Sequence, residues 1–195
     1  GMGWVYISTN KLRQLSDSDY HNNAKEFYNQ MSSYGWTINA ICGCLGNIDH
    51  ESQINPGQTQ KGFPIGSRNG GFGLPQWDPA SKYTDFAKSK GRSIYSGYWQ
   101  CYTLNYQDYG IEWIPTSKFG ETYSEFKAST KSVDYLCECF LKNYERASSE
   151  QLSTRISYAN YWREYFTGVP PEPPTPPPPT DKRKMPIWFY LRKEW

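Results

Sequence analysis

Apolar side chains recur at helical spacing in several stretches of the chain. Over residues 17–33, Ala24, Phe27 and Met31 lie on one face, and Gly35 follows where a helix commonly ends. Over residues 38–51, an apolar stripe follows Thr37, a residue suited to capping a helix start. The same reasoning predicts further helices over 79–90, 97–109, 121–128, 133–146 and 150–166. For 79–90, we expect Asp78 to be the cap and Pro79 the first helical residue.

One segment breaks this pattern. Residues 57–74, "GQTQKGFPIGSRNGGFGL", are rich in glycine and have no helical period. They are predicted to form a loop or a short hairpin inserted after the second helix. The fold class is therefore expected to be mainly α with one small Gly-rich loop or β excursion.

The C-terminal part of the chain has a different composition. Residues 1–168 are predicted to form one domain, 169–180 ("VPPEPPTPPPPT") a Pro-rich linker, and 181–195 a short basic and apolar tail. Three roles stay open for this tail: docking on a partner, contact with a membrane surface, or packing back on the domain. No pattern typical of a signal peptide or of a transmembrane segment is present in the sequence.

The charge is unevenly distributed. The formal net charge is +2, and residues 168–195, with five basic and three acidic side chains, account for all of it. The domain is therefore neutral, which disfavours nucleic-acid binding because that requires a concentrated basic face. The five cysteines include two C-x-C pairs, whose side chains diverge on a helix and so disfavour a metal site. Buried reduced thiols are favoured, with one disulfide as the alternative, and no cofactor is expected.

Glu51 is the most informative ionisable residue. It lies in the last turn of the second predicted helix, beside the apolar stripe, within "GNIDHESQINPG". An apolar setting and the helix dipole both disfavour a charged carboxylate there, and a carboxyl that keeps its proton can serve as a general acid. The alternative is a glutamate that faces solvent at a fraying helix end.

Residues near Glu51 in sequence suggest a ligand site. Asn55 is expected to tie the turn or contact a ligand, Gln76 offers an amide suited to an acetamido group, and Trp77 offers a ring for stacking. Tyr83 falls on the following helix, within plausible reach. Tyr144 is expected either to hydrogen-bond Glu51 or to pack in the core.

A second carboxylate is harder to assign, although glycosidases usually use a pair. Asp78 and Glu145 are the candidates. Asp78 has the competing role of helix cap, and Glu145 has the competing role of salt-bridge partner for Arg146 or Arg155. Zinc-protease chemistry is disfavoured because "DHESQI" has Ile54 where that motif needs a second histidine. No G-x-S-x-G motif is present in the sequence.

Three separated blocks carry a family resemblance: "GWTINAICGCLGNIDHESQINPG", "GGFGLPQWDPASKY" and "FLKNYERA". They closely resemble the lysozyme-like domain of phage tail-tip proteins, which degrade peptidoglycan for short-tailed phages of Gram-positive bacteria. The resemblance implies a lysozyme-like helical domain with a glycan cleft, Glu51 as catalytic acid, and Gln76 and Trp77 as cleft lining. It is also similar to the glutamate-then-glutamine arrangement of lytic transglycosylases.

The resemblance therefore implies an enzyme that cleaves the β-1,4 bond between N-acetylmuramic acid and N-acetylglucosamine. Peptidoglycan is the expected partner, together with other phage tail proteins, and the expected location is the virion tail at the bacterial cell wall, reached without a signal peptide. Two alternatives stay open. One is a lytic transglycosylase that forms anhydro products, and the other is a non-catalytic module for wall binding or tail assembly.

Overall fold

The computed structural model describes residues 3–171. The tail predicted over 181–195, and the linker from residue 172 onward, lie outside the described residues. The described chain is mainly helical, which confirms the expected fold class. Its α-helices are α1 (Asp17–Ser33), α2 (Ile38–Ser52), α3 (Ser81–Ser89), α4 (Gly97–Tyr106), α5 (Tyr123–Ala128), α6 (Val133–Phe140) and α7 (Leu152–Thr167).

Helix α2 is the centre of the fold. It packs against α1, α5, α6 and α7, and almost every residue from its second turn onward is buried. Two glycines on α2 let its neighbours approach closely. A Cβ atom at Gly43 would lie 2.9 Å from the Cys137 backbone of α6, and one at Gly46 would lie 2.5 Å from the Arg155 carbonyl of α7. The helix that carries Glu51 is therefore held on several sides.

The five cysteines are all free and buried. This agrees with the prediction of buried, reduced thiols. Burial raises the pKa of Cys42 to about 12 and that of Cys137 to about 12, so both thiols are neutral at physiological pH.

The Gly-rich excursion after α2 is irregular and carries isolated β-bridges. Thr59 pairs with Phe72, and Phe72 pairs with Trp77. The N-terminal segment lies alongside, with Thr9 bridged to Gln58 in parallel. These isolated bridges confirm the prediction of a loop or short hairpin. The excursion forms one side of a surface cleft, and the end of α2 forms another.

Two predicted helix boundaries are corrected. Helix α3 begins at Ser81 with Ala80 as its N-cap and no side-chain cap, so Asp78 does not cap this helix. The helix expected over 133–146 changes its geometry at Leu141–Glu145, which form a π-helical turn. Such turns rotate the side chains that follow, and they are frequent at functional sites. No helix within residues 3–171 is both long enough and apolar enough to cross a bilayer.

Candidate functional site

The end of α2 has an unusual backbone that shapes the site. Gln53 and Ile54 both adopt left-handed conformations, with φ of 56° and 59°. This geometry is costly for a β-branched residue, by about 1–3 kcal/mol. It is held by the burial of Ile54 and by the Asn23 side-chain amide, which donates to the Ile54 carbonyl oxygen at 2.8 Å. The chain therefore turns sharply after Ser52, and Glu51 is left at the helix end beside the cleft.

The cleft beside Glu51 has a volume of about 370 Å³. Four residues singled out from the sequence meet there, since Glu51, Gln76, Asp78 and Glu145 all contribute to its wall. The remaining lining residues are Leu12, Gln58, Gln60 and Lys61. Most of this surface is amide or charged, which suits a polar ligand that forms many hydrogen bonds.

Glu51 is paired with an arginine from α7. Arg155 Nη2 lies 2.6 Å from Glu51 Oε1, and Arg155 Nη1 donates to Asn47 Oδ1 at 3.0 Å. The Glu51 side chain is 20 % exposed and that of Arg155 is 5 % exposed. The expectation of an apolar setting is therefore corrected, because the Glu51 carboxyl faces a buried guanidinium. The alternative, a glutamate freely exposed to solvent, does not match this pairing either.

Glu145 has a contrasting environment. It ends the π-helical turn, and its Oε1 atom is buried without a hydrogen-bond partner among residues 3–171. Neither arginine proposed as its structural partner binds it, because Arg155 pairs with Glu51 and Arg146 pairs with Glu112. Burial first, and then the charge of Glu51, raise the pKa of Glu145 well above its usual range. Glu145 is therefore the carboxyl in this cleft that favours its protonated form.

Glu112 is a buried acidic residue that the sequence analysis did not single out. It accepts hydrogen bonds from Tyr109 and from Arg146, and its ion pair with Lys82 spans 2.7 Å. Burial acts to raise the pKa of Glu112, but the hydrogen bonds from Lys82, Tyr109 and Arg146 bring it below its usual range. Glu112, Lys82 and Arg146 line a small recess of about 80 Å³ that Glu145 also borders. No local motif marks Glu112, because its partners come from distant parts of the chain.

Gln76 lies at the cleft with its amide nitrogen already engaged. Its Nε2 atom donates to the carbonyl oxygens of Gln58 at 3.0 Å and Gly73 at 2.9 Å. The amide oxygen is the part of Gln76 left for a ligand. The sequence suggested that the Gln76 amide binds an acetamido group. For the amide nitrogen to take part in that binding, these two hydrogen bonds would have to break.

Four other predicted ligand-binding residues are interior. Trp77 is 3 % exposed, stacks on Tyr83 with 4.2 Å between ring centroids, and donates from Nε1 to the Tyr144 hydroxyl oxygen at 2.9 Å. Asn55 is also buried and binds the backbone of Ile7. The stacking role expected for Trp77 is corrected, because its ring faces are covered. Tyr144 packs in the core rather than hydrogen-bonding Glu51, and Trp77, Tyr83 and Tyr144 support the cleft from behind.

Three further ionisable residues lie close to the site residues in sequence, namely Asp78, Asp49 and His50. Asp78 is exposed at the cleft rim. Asp49 is absent from the cleft wall, and its Oδ2 atom accepts a hydrogen bond from Trp162 Nε1 at 2.8 Å. Burial, and then the charges of Arg155 and Arg13, lower the pKa of His50 to about 4, so this imidazole is neutral near pH 7.

A comparison with known protein families places the sequence in one of them. The family model described as phage tail lysozyme matches residues 22–166, a span that includes Glu51, Glu145 and Arg155. The chain belongs to the phage tail lysozyme family. The family resemblance of the three sequence blocks is thereby confirmed.

A curated relative supports the same membership. "Morphogenesis protein 1" of Bacillus phage B103 is 38% identical over 159 residues. The match covers 81% of this chain and 43% of the relative. The chain thus spans less than half the length of this relative.

Proposed function

We propose that this domain cleaves the glycan strand of peptidoglycan at the β-1,4 bond between N-acetylmuramic acid and N-acetylglucosamine. Membership of the phage tail lysozyme family supports this class of activity. The observation that carries the proposal is the meeting of two carboxyls, Glu51 and Glu145, at the wall of one polar cleft. Glycoside hydrolysis commonly uses such a pair beside the scissile bond.

Glu51 is proposed to protonate the leaving oxygen. Its position is fixed on two sides, by the rigid end of α2 and by the Arg155 guanidinium. A fixed donor favours catalysis because the proton must be transferred in one narrow geometry. Gln76 is proposed to contact the glycan through its amide oxygen, and Asp78 lies at the rim as a further polar contact.

Attack by water would yield lysozyme products, and we favour this outcome because a second carboxyl is available at the cleft. Attack by the muramyl O6 would instead yield the anhydro products of a lytic transglycosylase. Mass spectrometry of the released muropeptides distinguishes the two, since the anhydro product lacks the elements of one water.

The proposed site of action is the cell wall, with the domain carried on a phage tail beside other tail proteins. The phage tail lysozyme family and the phage morphogenesis relative support this placement. Contact with a membrane is proposed only through the segment after the domain.

The test is the clearing of purified cell walls, followed by turbidity. We expect Glu51→Gln to lower the rate by about 10²-fold or more, the usual contribution of a general acid. Glu150→Gln is the matched control, since Glu150 is an exposed residue outside the cleft lining. Equal clearing by wild type and Glu51→Gln would remove Glu51 from the mechanism. Wall binding by the wild type without clearing would instead favour a non-catalytic wall-binding module.

A further inference from the structure

A second surface groove is lined by four aromatic residues, Trp4, Tyr6, Tyr95 and Tyr98, and is called the aromatic groove below. Its volume is about 470 Å³, larger than that of the cleft beside Glu51. Among residues 3–171, no residue lines both the aromatic groove and the cleft. The groove is therefore a separate site, to which the proposed cleavage assigns no role.

Two of the four rings form a flat and partly exposed surface. The rings of Tyr6 and Tyr95 are parallel, with 4.9 Å between their centroids and 6° between their planes. The Ser8 hydroxyl donates to the Tyr95 hydroxyl oxygen at 3.3 Å, which helps to fix Tyr95. Tyr6 is 51 % exposed, so its ring is accessible to a ligand while it is stacked. A ring held in this way suits stacking against the apolar C–H face of a sugar, with its hydroxyl left for hydrogen bonding.

The other two rings are anchored near the start of α4. The Trp4 indole packs against Gly97, where a Cβ atom would overlap the indole ring. Gln30 Nε2 of α1 donates to the Tyr98 carbonyl oxygen at 2.9 Å, and Tyr98 is 50 % exposed. The rings are thus held by two helices before any ligand arrives. A preformed site loses less conformational entropy on binding than one that must first be ordered.

The polar groups of the aromatic groove indicate the chemistry of its ligand. Within the described chain, Glu26 is the one charged side chain that lines the groove, and it belongs to none of the ion pairs found there. A carboxylate accepts hydrogen bonds and repels anions, so nucleic acids, acidic peptides and anionic lipids are disfavoured. Gln30, Ser93 and Ser96 add amide and hydroxyl groups. An uncharged ligand with O–H and N–H donors and flat apolar faces fits this lining, and an N-acetylated sugar has all of these features.

We propose that the aromatic groove is a second binding site for the glycan strand, which holds the wall while the cleft beside Glu51 acts on it. Leu12 of the cleft follows Tyr6 by six residues, so their Cα atoms lie at most about 22 Å apart. A polymer with many repeats can therefore occupy both sites, and the second contact raises the effective concentration of substrate at the cleft. The identity of the polymer rests on the proposed function, whereas binding at the groove does not require cleavage.

The first test follows the Trp4 indole N–H signal of the full chain by NMR. Trp4→Phe removes one of the eight indole signals and so assigns it. The probe is the β-1,4-linked tetramer of N-acetylglucosamine, added to Glu51→Gln to prevent its cleavage. We expect the Trp4 signal to shift and saturate, and Tyr6→Ala in this background to weaken the affinity about tenfold. No shift at millimolar tetramer would overturn the proposal. A shift with phosphatidylglycerol vesicles and none with the tetramer would also overturn it, in favour of a membrane-binding surface.

Tyr106→Ala, in the same Glu51→Gln background, is the matched control. Tyr106 is 55 % exposed and contacts another tyrosine ring, that of Tyr102, with 4.5 Å between centroids, but it is not among the lining residues of the groove. Its affinity for the tetramer should equal that of Glu51→Gln alone. Equal losses in Tyr6→Ala and Tyr106→Ala would overturn the proposal, because exposed tyrosines in general would then be responsible.

A second variant keeps the test valid if thermal unfolding shows that Tyr6→Ala does not fold. Glu26→Ala removes the carboxylate acceptor and leaves all four rings of the groove in place. We expect it to weaken binding of the tetramer about tenfold, since hydrogen bonds to a charged acceptor are among the stronger ones. Unchanged affinity in Glu26→Ala would contradict the proposed role of the carboxylate and overturn the site as described.

Wall clearing separates this inference from the proposed cleavage. With Glu51 intact, Tyr6→Ala should clear insoluble walls about tenfold more slowly at low protein concentration and should cleave short soluble glycan fragments at the wild-type rate. Equal clearing of walls by Tyr6→Ala and wild type would overturn the holding role, and equal losses on walls and fragments would place Tyr6 in the cleft instead. If the tetramer shifts the Trp4 signal but wild type clears no walls, the proposed cleavage fails and the second glycan site stands. If walls are cleared and the Trp4 signal does not respond, the second site fails and the cleavage stands.

Discussion

Gly46 of α2 lies directly against the backbone of Arg155 on α7. A Cβ atom at Gly46 would lie 2.5 Å from the Arg155 carbonyl oxygen and 2.7 Å from the Ala159 Cβ atom. The two helices are so close here that only glycine, whose side chain is a hydrogen atom, fits at position 46. This close approach brings α7 near enough for the Arg155 guanidinium to contact Asn47 and Glu51 on α2.

The change Gly46→Ala is therefore expected to separate the two helices. Because the nearest atoms are backbone atoms and a Cβ atom, they cannot rotate away, and overpacking of this kind costs about 1–3 kcal/mol. We expect urea denaturation to show that loss in the free energy of unfolding, together with slower wall clearing. Gly120→Ala is the control, since a Cβ atom there has no neighbour within 4 Å. Equal stability of Gly46→Ala and wild type would show that the contact between α2 and α7 is adaptable.

Glu145→Gln is expected to change how stability depends on pH. In the folded protein burial and the charge of Glu51 raise the pKa of Glu145, whereas the unfolded chain has the ordinary glutamate value. Above that ordinary value the unfolded state releases a proton that the folded state retains, so stability falls as the pH rises toward the folded pKa. The loss is at most about 1.4 kcal/mol per pH unit.

Urea unfolding between pH 5 and pH 8 measures this effect. Glu145→Gln has no carboxyl at this position, so it should gain stability relative to wild type as the pH increases. Glu150→Gln should keep a constant difference from wild type, because Glu150 is exposed. Parallel pH curves for wild type and Glu145→Gln would contradict the assigned protonation.

Tyr144→Phe tests whether the aromatic cluster is interior structure or ligand surface. The change removes the hydroxyl that accepts the hydrogen bond from Trp77 Nε1. A buried donor left without a partner costs about 1–3 kcal/mol. We expect that loss in denaturant unfolding, while Tyr106→Phe, at an exposed position on α4, leaves stability unchanged. If Tyr144→Phe instead binds glycan fragments more weakly and its stability is unchanged, Tyr144 contacts the ligand.

The helices were predictable because their evidence is local. The stripe ending at Met31 and the glycine at position 35 predicted residues 17–33, and α1 is Asp17–Ser33. Thr37 caps α2 as expected, through a hydrogen bond from the Ala40 amide at 3.1 Å. The stripe on α2 is apolar enough that burial of its two cysteines follows from the pattern alone.

The electrostatics of the site were not predictable in the same way. Arg155 is separated from Glu51 by 104 positions, and nothing in the pattern of 150–166 marks one arginine as buried. The π-helical turn that ends at Glu145 was not predictable either, since the apolar spacing of that segment also fits a regular helix. Trp77 was assigned to a ligand surface because a sequence does not show which rings will cover one another.

The last helix has a mechanical consequence. Helix α7 ends at Thr167, with Gly168 as its C-terminal cap. Arg155 lies in the first turn of this helix, whereas the buried residues Ala159 and Trp162 lie nearer its C-terminal end. A pull applied at Gly168 would therefore strain the interior packing of α7 before it reached the pair of Arg155 and Glu51.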